Sequence, residues 1–312
     1  MTVQIRLLQE DELQEADRIF KLAFRTFAKA GSPSKYPDDM TFMKRWYTDP
    51  QAAFAAEVDG QLVGSNFAIN WGSFGLFGPL TVHPDFWGRK IAQKLIEPAL
   101  DCFNQWNISQ TGFFTRYDSP LHLKLYQKFG FHPRYLTCLM SKSPKISAVA
   151  SGAMLYSQLS CDQQTECLNS AFELTNTLYE ELDLRTEIET INNQSLGDTI
   201  FLWDDKGLVS FALCHYGKDT EAGSGNCYIK FGAVRKDYSA SEHFEQLLQA
   251  CEDFAVNIGA SCLMAGMSTA REEAYHKILA NGYRIDRLGV AMHSPNKPAF
   301  NCPGLYIIDD WR

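Results

Sequence analysis

Long apolar runs, cysteine pairs and basic clusters are all missing from this 312-residue sequence, and each absence removes a class of protein. No hydrophobic stretch approaches the ~20 residues that a membrane-spanning helix needs, so the chain reads as soluble, with no membrane partner. The opening MTVQIRLLQEDEL turns acidic at once and does not read as a signal peptide. The cysteines number nine, an odd count, with no CxxC pair and no Cys/His spacing suited to zinc. They read as reduced thiols among apolar neighbours, such as Cys102 beside Phe103 and Cys138 within Leu136–Met140, in a cytoplasmic protein without a metal. Lys and Arg are interspersed with acids and the formal charge is -8, which argues against nucleic acid. What remains is ordinary globular composition, 45% hydrophobic and 21% charged, in a chain long enough for two domains.

The chain resembles itself. Gly78–Phe103 aligns with Lys230–Ala255: Val82 falls on Val234, Asp85 on Asp237 and Leu95 on Leu247, a shift of 152 residues. The same shift places Gly130-Phe131 on Gly282-Tyr283, Leu136 on Leu288 and Met140 on Met292. One shift sustained without a gap predicts two copies of one fold. The copies are placed at residues 1–143 and 155–312, joined by the small, polar Ser143–Met154.

Each copy has the same order of elements. Leu13, Ala16, Phe20, Ala23, Phe24 and Phe27 share one face of an amphipathic helix, as do Leu168, Ala171, Phe172, Thr175 and Leu178. Strands follow around Ala52–Val58, Leu62–Asn70 and Leu76–Val82, with the Asp59-Gly60 pair as a hairpin turn. A helix over about Arg89–Phe103 carries Pro98, which costs roughly 3 kcal/mol in a helix interior and predicts a kink. A strand at Thr111–Thr115, a helix at Leu121–Lys128 and a strand at Tyr135–Ser141 close the copy. The tail ending in LYIIDDWR reads as a loop and an edge strand. The class is mixed α/β.

The chemistry gathers at Leu80–Gln93, LTVHPDFWGRKIAQ. An apolar strand ends, and a glycine-containing turn leads straight into a helix. The first amides of a helix have no internal partners and point outward together, and the dipole adds partial positive charge. With Arg89 and Lys90 beside them they suit a phosphate. A basic turn that merely caps a helix fits the local pattern equally.

Leu80–Gln93 resembles the acetyl-CoA signature of GNAT acetyltransferases, and LYQKFGF (Leu125–Phe131) resembles that family's later LYEKLGF segment. The resemblance implies two tandem GNAT folds and acetyl-CoA as co-substrate. It implies that the main chain of Leu80, Thr81 and Val82 runs beside the pantetheine arm. The amides of Gly88, Arg89, Lys90, Ile91, Ala92 and Gln93 would hold the diphosphate. Tyr126 would protonate the departing thiolate, and Ser119 stands where the family often has a cofactor-binding Asn. Trp87 and Lys90 depart from the pattern, replacing a Gln or Arg and a Gly; the cradle survives Lys90 if its φ is negative.

For a general base the candidates are Asp118, His122 and Glu57, with none preferred over a chain of waters. The second copy carries Ser239, Ala240, Ser241, Glu242, His243 and Phe244 at the loop and Ile278 in place of Tyr126, so it reads as degenerate and without cofactor. The leading expectation is acetyl transfer to a primary amine on a small molecule or a protein N-terminus. A non-catalytic acyl-CoA sensor is the alternative, and a scaffold without CoA a third.

Overall fold

The computed structural model describes residues 2–28, 37–145 and 152–312. The linker Ser143–Met154 lies partly outside them.

The first half runs β1 (Val3–Leu7), α1 (Leu13–Ala28), α2 (Arg45–Thr48), β2 (Ala53–Val58), β3 (Gln61–Trp71), β4 (Phe74–Phe77) and β5 (Thr81–Val82). It continues through α3 (Ile91–Gln105), β6 (Gln110–Thr115), α4 (Pro120–Gln127) and β7 (His132–Lys142). The second half repeats the order with β8 (Met154–Leu155), α5 (Cys161–Leu178), α6 (Arg185–Asn193), β9 (Gly197–Asp204), β10 (Gly207–Gly217) and β11 (Gly223–Val234). Then come α7 (Ala240–Asn257), β12 (Cys262–Ser268), α8 (Glu272–Ala280), β13 (Arg284–Ser294) and β14 (Ile307–Ile308). Two copies of one mixed α/β fold in tandem are therefore what the chain adopts. A strand, β1, precedes the first amphipathic helix, and the third strand is broken in two between Phe77 and Thr81. Helix α3 runs through Pro98, and the Leu95 carbonyl one turn earlier accepts a hydrogen bond from the buried Asn66 amide at 3.0 Å. A polar side chain thus serves the helix beside the interruption.

The repeat is exact in strand register. Phe74 stands opposite Gln110 in the parallel β4–β6 pair, and Asn226 stands opposite Cys262 in the parallel β11–β12 pair, again 152 residues on.

The strands of the described residues join in one sheet, twelve of them ordered β1-β2-β3-β4-β6-β13-β7-β12-β11-β10-β9-β8, with β5 added on β3 and β14 on β11. The strand expected to close the first copy does not do so. β7 pairs with β12 and β13, and β13 of the second half takes the place beside β6. The last long strands are exchanged. Val290 and Met292 of β13 consequently pack in the first half's core with Phe113, Tyr126 and Phe131, while Cys138 and Met140 of β7 pack in the second half's core. The tail also departs from expectation. β14 is no edge strand: it pairs with Gly232 and Ala233 of β11 inside the molecule, and Trp311 is buried against Phe74.

The exchange makes one prediction. Met292 is fully buried in the first half's core, so Met292→Ala should cost ~2–4 kcal/mol and lower the urea midpoint reported by Trp87 and Trp106, which lie in the first half. A midpoint that does not move for these tryptophans would mean the halves are independent.

Candidate functional site

Strands β4 and β6 pair from Phe74 to Leu76 and then part. Beyond the break, β5 stays with β3, with Thr81 opposite Ser65 and Val82 opposite Gly64. Gly64 permits this approach, because a Cβ there would lie 2.5 Å from the Thr81 carbonyl oxygen. The other edge of Leu80–Val82 has lost its strand neighbour. Among the described residues no partner meets the main-chain groups of Leu80. The Val82 carbonyl accepts the Trp87 indole N–H at 2.7 Å.

Past Val82 the chain makes a short 3-10 turn at Pro84–Phe86 and reaches α3 through Gly88, Arg89 and Lys90, all exposed. Gly88 has φ +77° and Lys90 has φ +64°. The condition that Lys90 keep a negative φ is not met. Lys90 instead adopts the left-handed conformation for which glycine is suited, and the turn keeps its shape at the cost of strain. No side chain caps α3, and among the described residues no acceptor meets the amides of Ile91, Ala92 or Gln93. The Arg89 guanidinium lies over the Phe86 ring at 4.9 Å and donates to the Asp85 carbonyl at 3.2 Å.

The second half shows the contrast. There the Ala240 amide donates to Asp237, and the amides of Glu242 and His243 both donate to the Ser239 carbonyl, so the start of α7 is closed by its own turn. The parting of β11 from β12 is closed too. β14 lies along β11 at Gly232 and Ala233, the Val234 amide donates to Tyr306, and the Asp309 amide donates to Gly266 of β12. Gly232 and Val234 stand 152 residues after Leu80 and Val82. The tail therefore fills the slot that is open in the first half.

On the far side of the open slot, Tyr126 lies on α4, 6% exposed, with its ring 4.3 Å from Phe113 and 6.1 Å from Phe77. Its hydroxyl bonds the side chain of Thr115, the last residue of β6, and burial pushes the phenol well above its ordinary range. Ser119 caps α4, and its hydroxyl is 2.5 Å from His122 Nδ1. The imidazole of His122 is lowered by burial, then by Arg116. It touches Phe27 at the end of α1, and Phe27 stacks on Trp87 at 4.4 Å. This aromatic bridge from α1 over the phosphate turn to α4 is illegible in sequence, because its members are 60 residues apart in part and share no periodicity.

The other base candidates are engaged elsewhere. Asp118 is held by Arg116 at 2.8 Å, which keeps its carboxyl below the usual range, and Glu57 pairs with Arg6 at 2.8 Å. A second polar cluster went unseen: Arg45, Glu187, His215, Glu221 and Lys230, all buried between the halves. The available signal was a lysine inside the apolar run Tyr228–Val234 and a histidine inside Phe211–Tyr216. Among the described residues no group of His, Cys, Asp and Glu could hold a metal, and no helix is long and apolar enough to cross a membrane.

Residues 16–131 match the family profile described as "Acetyltransferase (GNAT) family". A candidate acetyltransferase from Pyrococcus horikoshii superposes with TM-score 0.69 at 14% identity, over 97% of this chain and 93% of that one. A GCN5-related N-acetyltransferase from Sphaerobacter thermophilus gives 0.61 at 14% identity, over 94% and 95%. A tandem GNAT protein from the clavulanic acid biosynthesis pathway gives 0.57 at 12% identity, over 94% and 98%. At these identities the likeness is one of fold. No curated protein matches the sequence.

The turn carries its own test. Lys90→Gly removes a strained left-handed side chain and should raise stability by up to ~1 kcal/mol, whereas Gly88→Ala should lower it by ~1–2 kcal/mol. Differential scanning calorimetry of the pair decides it, and equal melting temperatures for both variants would refute the assigned conformations.

Proposed function

We propose, for a chain whose residues 16–131 match the acetyltransferase (GNAT) family profile and whose halves share the GNAT fold, that it transfers an acetyl group from acetyl-CoA to a primary amine. The observation that carries this reading is the open slot of the first half. Among the described residues, a strand edge without a main-chain partner at Leu80 adjoins helix amides at Ile91, Ala92 and Gln93 that meet no acceptor. A pantetheine arm carries amides that pair with a strand edge, and a diphosphate suits free helix amides next to Arg89 and Lys90. The cradle runs from Gly88 to Gln93, and Leu80, Thr81 and Val82 form the strip beside the arm. Trp87 already occupies the Val82 carbonyl, so the arm gains less there than at Leu80. Ser119 bonds His122 and contributes to the cofactor only if that bond is exchanged.

The reaction is direct attack. A neutral amine adds to the thioester carbonyl, the C–N bond forms, the C–S bond breaks, and the thiolate takes a proton. Tyr126 is the proposed donor. Its hydroxyl lies at the end of β6 where the slot opens, beside Thr115. Because burial raises its pKa, the phenol stays protonated past its reference value of about 10. The proton lost by the amine leaves through solvent and later restores the phenol. Holding amine and thioester in line supplies much of the acceleration. The second half, its slot filled by β14, holds no CoA in this reading.

Two measurements test it. Isothermal titration should find one acetyl-CoA bound per chain, and two would refute the filled second slot. Tyr126→Phe should lower kcat by ~100–10,000-fold, the usual scale for a positioned acid, with acetyl-CoA affinity unchanged. In the wild type the rate should show no fall below pH 10 from loss of the phenolic proton, since the active form is the protonated one and its pKa lies higher. An undiminished kcat in the Phe variant would remove Tyr126 from the reaction. Binding of acetyl-CoA without turnover of any amine would favour a sensor.

A further inference from the structure

A cavity of about 390 Å³ lies between the halves. Its walls come from α2 (Arg45, Thr48), β3 (Ala68, Ile69), α6 (Glu187, Thr190) and, from the second half, His215 on β10, Glu221 in the loop after it and Lys230 on β11. The size is that of a small-molecule pocket.

The charged wall is almost fully paired. Arg45 donates to both oxygens of Glu221 at 2.8 and 3.0 Å, and Lys230 lies 3.0 Å from Glu187 and 3.2 Å from Glu221. Trp71 donates to Glu187 at 3.0 Å. Burial alone would raise both carboxyls, but Lys230 holds Glu187 below the usual range, and Arg45 with Lys230 holds Glu221 well below it. Two buried cations thus balance two buried anions.

His215 is the exception. It is 1% exposed, it lines the cavity, and among the described residues neither ring nitrogen has a hydrogen-bond partner. Burial lowers its pKa to about 4, so the ring is neutral at physiological pH, with one N–H to give and one lone pair to take. Leaving both unmet costs roughly 1–3 kcal/mol each, which an occupant that reaches the ring with a donor and an acceptor recovers. A neutral amine is such a group, and it is also the nucleophilic form.

The cavity adjoins the open slot. The guanidinium of Arg45 that lines it also donates to the Gly78 carbonyl at 2.7 Å, at the break between β4 and β5. Ala68 and Ile69 in its wall pair with Phe77 and Leu76 of β4. We infer that this cavity receives the acyl acceptor, and that the acceptor is a compact polar amine, free in solution, which exchanges hydrogen bonds with His215. A pocket of this volume walled by both halves suits a small molecule. The inference rests on the acetyl-transfer reading above, and it gives the second half a task other than binding CoA.

The test uses the full chain with putrescine, glucosamine and glycinamide as probes, titrated calorimetrically beside acetyl-CoA. At least one probe should bind the wild type. Thr190→Trp, which fills the cavity from the half-exposed face of α6 without touching the ion pairs, should weaken it tenfold or more. His215→Leu should do the same and His215→Gln should restore part of the loss. In turnover with that probe, Thr190→Trp should raise KM for the amine tenfold with the acetyl-CoA affinity unchanged. If no probe binds while acetyl-CoA does, or if Thr190→Trp binds as tightly as the wild type, the cavity is not the acceptor site. If acetyl-CoA itself fails to bind, the acetyl-transfer reading falls first.

Discussion

Two parallel strands that pair at one end and part at the other leave a strip of main chain facing nothing, and the rest of this protein follows from how that strip is used. Buried amide and carbonyl groups must be paired, so a parted strand needs an occupant. In the second half the occupant is the chain itself, since β14 lies along Gly232 and Ala233 and bonds across to Gly266. In the first half, among the described residues, the main chain of Leu80 has no partner and the Val82 carbonyl has the Trp87 indole. The two halves solve one backbone problem in two ways, and only the unfilled solution offers a place for a ligand.

The exchange of β7 and β13 sets how the halves meet. Each core contains side chains from the other half's last strand, so neither closes without its partner. The exchange also fixes the inter-half cavity, because it brings α2 of one half and α6 of the other to face a common space. Burying Arg45, Glu187, Glu221 and Lys230 there costs desolvation that mutual pairing offsets only when the geometry is good. Such a cluster is a poor device for stability alone, since apolar residues of similar volume would fill the space at least as well.

The repeat was legible because the apolar pattern and the loop lengths after the third strand survived in both copies, and it proved true down to the register of Phe74 with Gln110 and Asn226 with Cys262. The exchange was not legible, for a physical reason. A strand's alternation records that one face is buried, not which neighbour it bonds, so Tyr135–Ser141 reads the same beside β6 or β12. The position of Ile307–Ile308 was hidden likewise, because a two-residue strand has no period to read. The conformation of Lys90 ran against its residue type, and only the turn around it dictates a positive φ. Buried charges scattered from residue 45 to 230 become a cluster only on folding.

The correspondence between Gly78 and Lys230, 152 residues apart, ties these strands of argument together. In the first half the strand turns away from its neighbour at Gly78, whose carbonyl is held by Arg45. In the second half the equivalent residue sends an ammonium between Glu187 and Glu221, and Glu221 is the carboxylate that Arg45 grips. The two equivalent points of the repeat are thus joined through Arg45 and Glu221. The Arg312 carbonyl at the end of the tail bonds the same guanidinium at 2.6 Å. The segment that fills the second slot is thereby anchored to the residue that borders the first. Gly78 has φ +135°, a backbone conformation that disfavours any side chain, and a Cβ there would meet only the Leu80 amide nitrogen at 3.7 Å. The altered loop at Ser239–Phe244, the slot filled by β14 and the charged wall around Lys230 thus all belong to the second half, and the inferred acceptor cavity would give that half a role beside the first half's slot.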